Sequence, residues 1–212
     1  MAFDEREAGD VKKITEYLAR VAPEFGVSAS NDKAADTYND VKAQGFRQYF
    51  GAIDRKFLDK CHARRAKGIR TGTTYVCTGP KAPNNFVWSD PDDNFWIQVF
   101  PVAHGMCGAV RWTINSWPRD PMNDCSYYVW SSSDTYVVYP DGSPSIRYLE
   151  ILNGVQNGEK WRILYDELKL KRDELDALAE KYDPQKALAK KDGDFREVIE
   201  ETLGLLNDVP AD

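Results

Sequence analysis

Strand-like and helix-like runs take turns along this chain, and that alternation constrains its fold more than any other feature. Met1–Phe3 is an apolar stub, followed by Asp4-Glu5-Arg6 and an amphipathic run with Val11, Ile14, Leu18 and Val21 on one face, for which Asp10 is the predicted cap. Pro23 and Gly26 end that helix, and Gly26–Asp32 reads as a short strand opening into a polar loop. Ala34–Lys42 then reads as a weak helix and Gly45–Ile53 as a strand. Asp54 is placed to cap a basic helix stopped by Gly68, and Ile69–Cys77 is the next strand. Within Asp90–Gly105 a helical stretch carries Phe95, Val99 and Val102 on one face, with Pro101 kinking or ending it, and Gly108–Trp117 follows as a strand. Strands separated by helix-length segments predict a parallel sheet with helical crossovers, open or closed into a barrel.

The remainder is mostly helical. After a loop from Pro118, Asp134–Ser143 reads as an extended segment closed by an Asp-Gly turn. Pro144 opens a long helix whose Ile146, Leu149, Leu152 and Val155 are expected to form one buried face, continued by Trp161, Leu164 and Leu168. Gly154 and Gly158 in its middle each cost about 1 kcal/mol relative to alanine, which predicts a close helix contact there. Leu175, Leu178 and Tyr182 belong to a charged helix before Pro184, and Asp194 with Glu197 forms a predicted capping box for a last helix.

Composition excludes several classes. The 212 residues, 42% hydrophobic, suffice for a buried core in one large domain or two small ones. The net charge of −6 and the absence of a basic stripe argue against nucleic acid as a partner. No apolar run nears the roughly 20 residues that span a bilayer, so no membrane partner is expected. The acidic start MAFDEREAGD lacks the features of a signal peptide, so a cytoplasmic location is expected. Cys61, Cys77, Cys107 and Cys125 form no CxxC pair and are expected as buried free thiols. His62 and His104 lack acidic neighbours at ligand spacing; they read as a helix-surface and a helix C-terminal residue, with no metal site.

In parallel βα architectures the functional residues gather at the C-terminal ends of strands. That rule selects Asp4 and Glu5, Asn31 and Asp32, Tyr75 and Cys77, and Asn115 and Trp117. Tyr75, Trp112, Asn115 and Trp117 combine rings with an amide, the mixture that holds a pyranose by its C–H face and its hydroxyls. The same residues also fit a core with satisfied polar tips. Asp4-Glu5 is the only ionisable pair suited to acid/base work. The two carboxylates repel, so one proton is held by the pair and burial raises that group towards use as an acid. Neighbouring carboxylates cannot flank a sugar at the roughly 5–9.5 Å of ordinary glycosidases. They can serve one face if a 2-acetamido group of the substrate is the nucleophile. The plain alternative is that the dipeptide is the charged start of a helix.

The phrases DER after an apolar stub, TTYVCTGPKAPNNF, GAVRWTINSW and DTYVVYPDGSPSIRYLEILNGVQ together resemble the C-terminal part of the catalytic domain of glycoside hydrolase family 123. The resemblance runs to about Leu168. It implies an α/β fold that is a partial (β/α)8 TIM-like barrel, about its second half, over residues 1–169, with a C-terminal helical extension over 170–212. It also implies a β-N-acetylgalactosaminidase-type, substrate-assisted enzyme without cofactor or metal. By the same resemblance Asp4 orients the acetamido group and Glu5 is the general acid/base, while Tyr75, Trp112, Asn115 and Trp117 fall where the sugar lies. Asn157-Gly158 stands where relatives carry Asp-Tyr. If Asp4-Glu5 closes a fourth strand, the earlier strands are missing, and half a barrel leaves sheet edges exposed. The chain is then a fragment, or a half that a second copy or a complementary chain completes. The runner-up readings are a non-catalytic carbohydrate-binding module and a self-assembling remnant of such an enzyme.

Overall fold

The computed structural model describes residues 2–4, 8–24, 28–31, 45–68, 72–77, 79–127, 130–189 and 194–208, with backbone alone for 2–4, 8–11, 28–31 and 45–46. Five short strands, β1 (Ala2–Asp4), β2 (Ser28–Asn31), β3 (Gly45–Tyr49), β4 (Thr73–Val76) and β5 (Gly108–Arg111), form one sheet. Its order is β1-β2-β3-β4-β5 and every pairing is parallel. Each strand is added beside the last on the same side, so the order never reverses. Parallel neighbours need long crossovers, and α1 (Ala8–Val21), α2 (Arg55–Arg65) and α3 (Pro91–Ala103) supply three of them. The weak helix expected at Ala34–Lys42 lies outside the described residues.

Strand lengths follow local alternatives. Gly45–Ile53 reads as one strand, but the chain coils into a 3-10 turn at Phe50–Ala52, where Phe50 and Ile53 enter the core. β5 stops at Arg111 rather than Trp117 because the next residues pair elsewhere: Ser116 N donates to Thr135 O at 2.9 Å and Val137 N to Ile114 O at 2.9 Å. Of the three caps that the sequence names, Asp10, Asp54 and Asp194, only Asp54 forms. Asp54 Oδ1 accepts from Phe57 N at 2.8 Å at the start of α2. Asp90 caps α3, with Pro91 in its first turn and Pro101 near its end. Asp10 is not a cap, since α1 begins at Ala8.

After β5 an irregular segment leads to α4 (Ile146–Arg162), a π-helical turn (Ile163–Leu168), α5 (Arg172–Ala179), α6 (Pro184–Leu188) and α7 (Arg196–Asn207). The N-cap of α7 is Phe195 and no side chain caps it, so Asp194 does not play its expected part. Phe195 is buried, and its stacking on Trp96 at 4.9 Å fixes where the helix starts.

The core lies in the helix layer. Phe57, Val76, Trp96, Phe100 and Trp161 form one cluster with Leu175, Tyr182 and Val198 from the C-terminal region. α4 reaches it through its small residues. A Cβ on Gly154 would meet Phe95 O at 2.7 Å, and one on Gly158 would meet Val102 Cγ2 at 3.4 Å. Gly154 thus permits the close α3–α4 approach that its cost predicts, whereas a Cβ at Gly158 would make only ordinary contact. The expected inward face is overturned: Ile146, Leu149, Leu152 and Val155 are between 42% and 57% exposed, whereas Arg147, Gly154, Asn157, Gly158 and Trp161 are buried. The i, i+3 spacing of the four aliphatics winds them around the far side of the helix. Leu168 is exposed as well.

His62 is not a simple surface residue. It is half-buried and stacked on His104, with Nε2 3.1 Å from His104 Nδ1. His104 is the C-cap of α3, as its position suggests, and is buried. Its Nε2 lies 2.8 Å from Tyr182 O, an acceptor, so Nε2 carries the proton and Nδ1 accepts from His62. Burial pushes the His104 imidazole down to about 4. None of the four cysteines is in a disulfide, but only Cys61 is buried and Cys107 is exposed. No helix among the described residues is long and apolar enough to cross a membrane.

Candidate active site

Because every strand runs the same way, the C-terminal ends of all five meet along one edge of the sheet. Asp4, Asn31, Tyr49, Val76 and Arg111 end β1 to β5 there. Asp4 is aligned with Ser30 of β2. Its side chain, and Glu5 altogether, lie outside the description. The backbone nonetheless places Asp4 at this edge.

In β4, Thr74 and Val76 are buried and Val76 joins the helix-layer core, so by the two-residue period Tyr75 points to the opposite face. Tyr75 is paired with Tyr49 on one side and Val110 on the other. The three form a row across that face, with Trp112 two residues beyond Val110. The Tyr49 ring is closely held. A Cβ on Gly51 would fall 2.6 Å from its Cε1, and one on Gly79 would fall 2.8 Å from its hydroxyl. Burial, and then the neighbouring Cys77, raise the Tyr49 phenol.

Trp112 and Asn115 are exposed on the segment after β5, and Trp117 is fixed by its Nε1, which donates to Val138 O at 2.7 Å. Asn115 bridges to Tyr136 through the backbone. Trp112 meets Trp130 edge-on at 6.5 Å, and Tyr127 lies 5.6 Å from Trp130. Trp88, 58% exposed, stacks on buried Phe86 at 4.8 Å in the loop after β4. Of the four residues expected to touch sugar, Trp112, Asn115 and Trp117 thus share one segment, and Tyr75 stands in the sheet beneath its start.

Under this aromatic rim lies a polar cluster that sequence reasoning missed. Arg111 Nη2 donates to Asp134 Oδ1 and to Asp134 O, each at 2.5 Å. Its Nη1 donates to Asn84 Oδ1 at 2.9 Å and Asn85 Oδ1 at 3.1 Å. Asn84 Nδ2 in turn reaches Cys77 O at 2.9 Å and Pro80 O at 2.6 Å. Asn85 Nδ2 donates to Asn94 Oδ1 at 2.6 Å, and Arg147 Nη1 donates to Asn85 O at 2.7 Å and Ser133 O at 3.0 Å. One cluster therefore ties the loops after β4 and β5 to the starts of α3 and α4. Desolvation dominates both ends of its ion pair: it brings the Arg111 guanidinium down to about 10 and raises the Asp134 carboxyl, each opposed by the partner's charge. The available signal was the KAPNNF run, in which two adjacent asparagines between prolines and an aromatic suit a buried loop.

The arrangement can offer ring faces and amides to a polyhydroxy ligand, with its donors preset by the cluster below. Both carboxylates of that cluster are engaged, Asp134 by Arg111 and Asp93 by Asn84 N. No group of His, Cys, Asp and Glu among the described residues could hold a metal ion.

A family profile described as glycoside hydrolase 123, catalytic domain, matches residues 1–164. No curated protein sequence matches significantly. Among solved structures, a family 123 glycoside hydrolase from Clostridium perfringens, studied for the details of glycolipid glycan hydrolysis, superposes with a TM-score of 0.70 at 17% identity. The superposition covers 97% of this chain and 41% of that one, so the chain spans about two-fifths of that protein's length.

Proposed function

From the premise that this chain belongs to the glycoside hydrolase 123 catalytic-domain family, we propose that it is the second half of a (β/α)8 barrel that cleaves terminal β-N-acetylhexosamine, of the N-acetylgalactosamine type. The observation that carries this reading is the position of Asp4. It ends β1, at the same sheet edge at which β4, carrying Tyr75, and β5, leading to Trp112, also end. The unreversed parallel strand order supports the barrel, because a barrel is wound by adding every βα unit on the same side.

The chemistry follows from adjacent carboxylates. Asp4 accepts from the acetamido N–H and turns the acetamido oxygen towards the anomeric carbon. As that oxygen bonds to carbon, the glycosidic C–O bond breaks and Glu5 gives its proton to the leaving oxygen. Glu5, now a carboxylate, takes a proton from water, which opens the cyclic intermediate and restores the acetamido group. Two inversions at one carbon retain its configuration. The aromatic rim holds the sugar during both steps.

Glu5→Gln is expected to abolish turnover of an aryl N-acetyl-β-galactosaminide at unchanged circular dichroism. Wild-type turnover that survives the substitution rejects the assignment of Glu5. A second reading, a non-catalytic carbohydrate-binding module, is favoured by the exposure of Trp112 beside the pinned ring of Trp117. It requires sugar binding that Trp112→Ala weakens, with no hydrolysis at any pH.

A further inference from the structure

Resting on the reading above of a hydrolase that removes a terminal hexosamine, we propose that Trp88 is the platform for a second sugar, on the leaving-group side of the bond that is cut. The substrate class is then a β-N-acetylhexosaminide whose leaving group is itself a sugar. A simple alkyl hexosaminide leaves this platform empty.

Trp88 joins exposure to rigidity. It is 58% exposed, more than Trp112 at 53% or Trp117 at 38%, and yet its ring is held. Buried Phe86 covers one face, with the ring centroids 4.8 Å apart and the planes at 26°. The exposed area is therefore concentrated on the opposite face. The turn that carries the ring is closed twice: Ser89 N donates to Phe86 O at 3.0 Å, and Phe86 N donates to Ser89 Oγ at 3.0 Å. Asn85, the residue before Phe86, is fixed by Arg111 at its side chain and by Arg147 at its carbonyl. Every one of these supports lies between Asn85 and Arg147, so the platform is complete within this chain. A large ring preset with one face bare has little freedom to lose on binding, which is what a stacking platform requires.

The place of the turn identifies the ligand. Val87 N donates to Ser132 O at 3.4 Å, and Trp130, two residues before Ser132, meets Trp112 edge-on. Residues 130–132 thus link Trp88 on one side with Trp112 on the other. Ser131 and Ser132, on that link, are part-exposed. Rings alternating with hydroxyls continue the mixture that holds a pyranose by its C–H face and its polar rim. A terminal sugar has a glycosidic neighbour on one side only. With the terminal unit on the segment that carries Trp112 and Trp117, a second platform continuous with that segment can serve only the leaving group.

Titration calorimetry in a Glu5→Gln background, which blocks cleavage, tests this with two probes: methyl N-acetyl-β-galactosaminide, and a disaccharide of N-acetyl-β-galactosamine linked to methyl galactoside. The disaccharide is expected to bind about tenfold more tightly than the monosaccharide. Trp88→Ala should erase that gap and leave the monosaccharide affinity unchanged. Trp88→Phe, which keeps a ring face, should retain most of the gap, and Trp112→Ala should weaken both probes. Equal affinities for the two probes overturn the platform, as does a gap that survives Trp88→Ala. So does a Trp88→Ala variant that loses both affinities, since Trp88 would then be a support of the rim, and so does a chain that binds neither probe. Turnover separates this from the parent reading. Glu5-dependent hydrolysis with no effect of Trp88 keeps the hydrolase and rejects the platform, whereas a Trp88-dependent gap in a chain without hydrolysis keeps the platform and rejects the hydrolase.

Discussion

The helix α3 belongs to two buried clusters of opposite character. Its first turn enters the polar cluster through Asn94, which accepts from Asn85, and through Asp93 Oδ2, which accepts from Asn84 N at 3.2 Å. Its middle enters an aromatic stack, where Trp96 lies 4.8 Å from Phe100 and 4.9 Å from Phe195, with Phe50 edge-on at 5.6 Å. The polar cluster works by direction: four acceptors are held by the two terminal nitrogens of one guanidinium. The stack works by area removed from water. Buried ion pairs lose to desolvation much of what they gain by attraction, while aromatic burial is favourable throughout. The stack therefore carries the stability of α3, and the polar cluster decides where the loops of the aromatic rim sit.

The largest effect that would break this division is expected at Trp96. Trp96→Ala removes the ring shared by four aromatic neighbours and should cost about 4 kcal/mol in denaturant unfolding. A cost near that of an ordinary surface change would show that the stack does not anchor the helix. The next effect comes from the polar group built into the apolar side. His104 packs against Phe100 at 5.0 Å and is neutral when folded. Unfolded, it takes up a proton near pH 6.5, but folded only near about 4. The unfolded state therefore binds more protons between those values. Stability is flat above pH 6.5 and falls as the pH drops towards 4, by about 3 kcal/mol for some 2.5 pH units at 1.36 kcal/mol each. His104→Gln should remove that slope from stability measured against pH; an unchanged slope would assign it to other groups.

The two clusters also differ in how far the sequence announces them. The βα alternation, Asp54 as a cap, and the need for close packing at Gly154 were all legible, because each is a local rule written within a few residues. The stack was half legible: Phe95 and Val99 read as a helix face, but Phe195 reaching Trp96 from 99 residues away did not. The outward turn of Leu149 and Leu152 went unread because hydrophobic spacing shows that a face is apolar, not which neighbour covers it. The polar cluster was least legible. Arg111, Asp134 and Arg147 look like surface charges one by one, and only the fold brings them under cover. Asp4 and Glu5 stood out as a carboxylate pair at a strand end, although nothing local separates them from the charged start of a helix.

The smallest effect sharpens the comparison most. Arg111→Met keeps the length of the side chain but removes every donor to Asp134, Asn84 and Asn85. Left charged and buried, Asp134 would be costly, yet its carboxyl is already raised and can take up a proton instead, which limits the expected loss to about 2 kcal/mol at neutral pH. As the pH falls through the raised carboxyl value the loss should shrink, since the folded, unpaired group then takes up a proton before the unfolded one does. Asp134→Asn in the same background should recover part of the stability by removing the charge outright. Neither change should disturb the stack. Amide exchange should rise in residues 79–90 and 130–138 while the middle of α3 stays protected. Uniform exchange along α3 and both loops would mean that the clusters unfold as one unit and that the polar one has no separate part in shaping the rim.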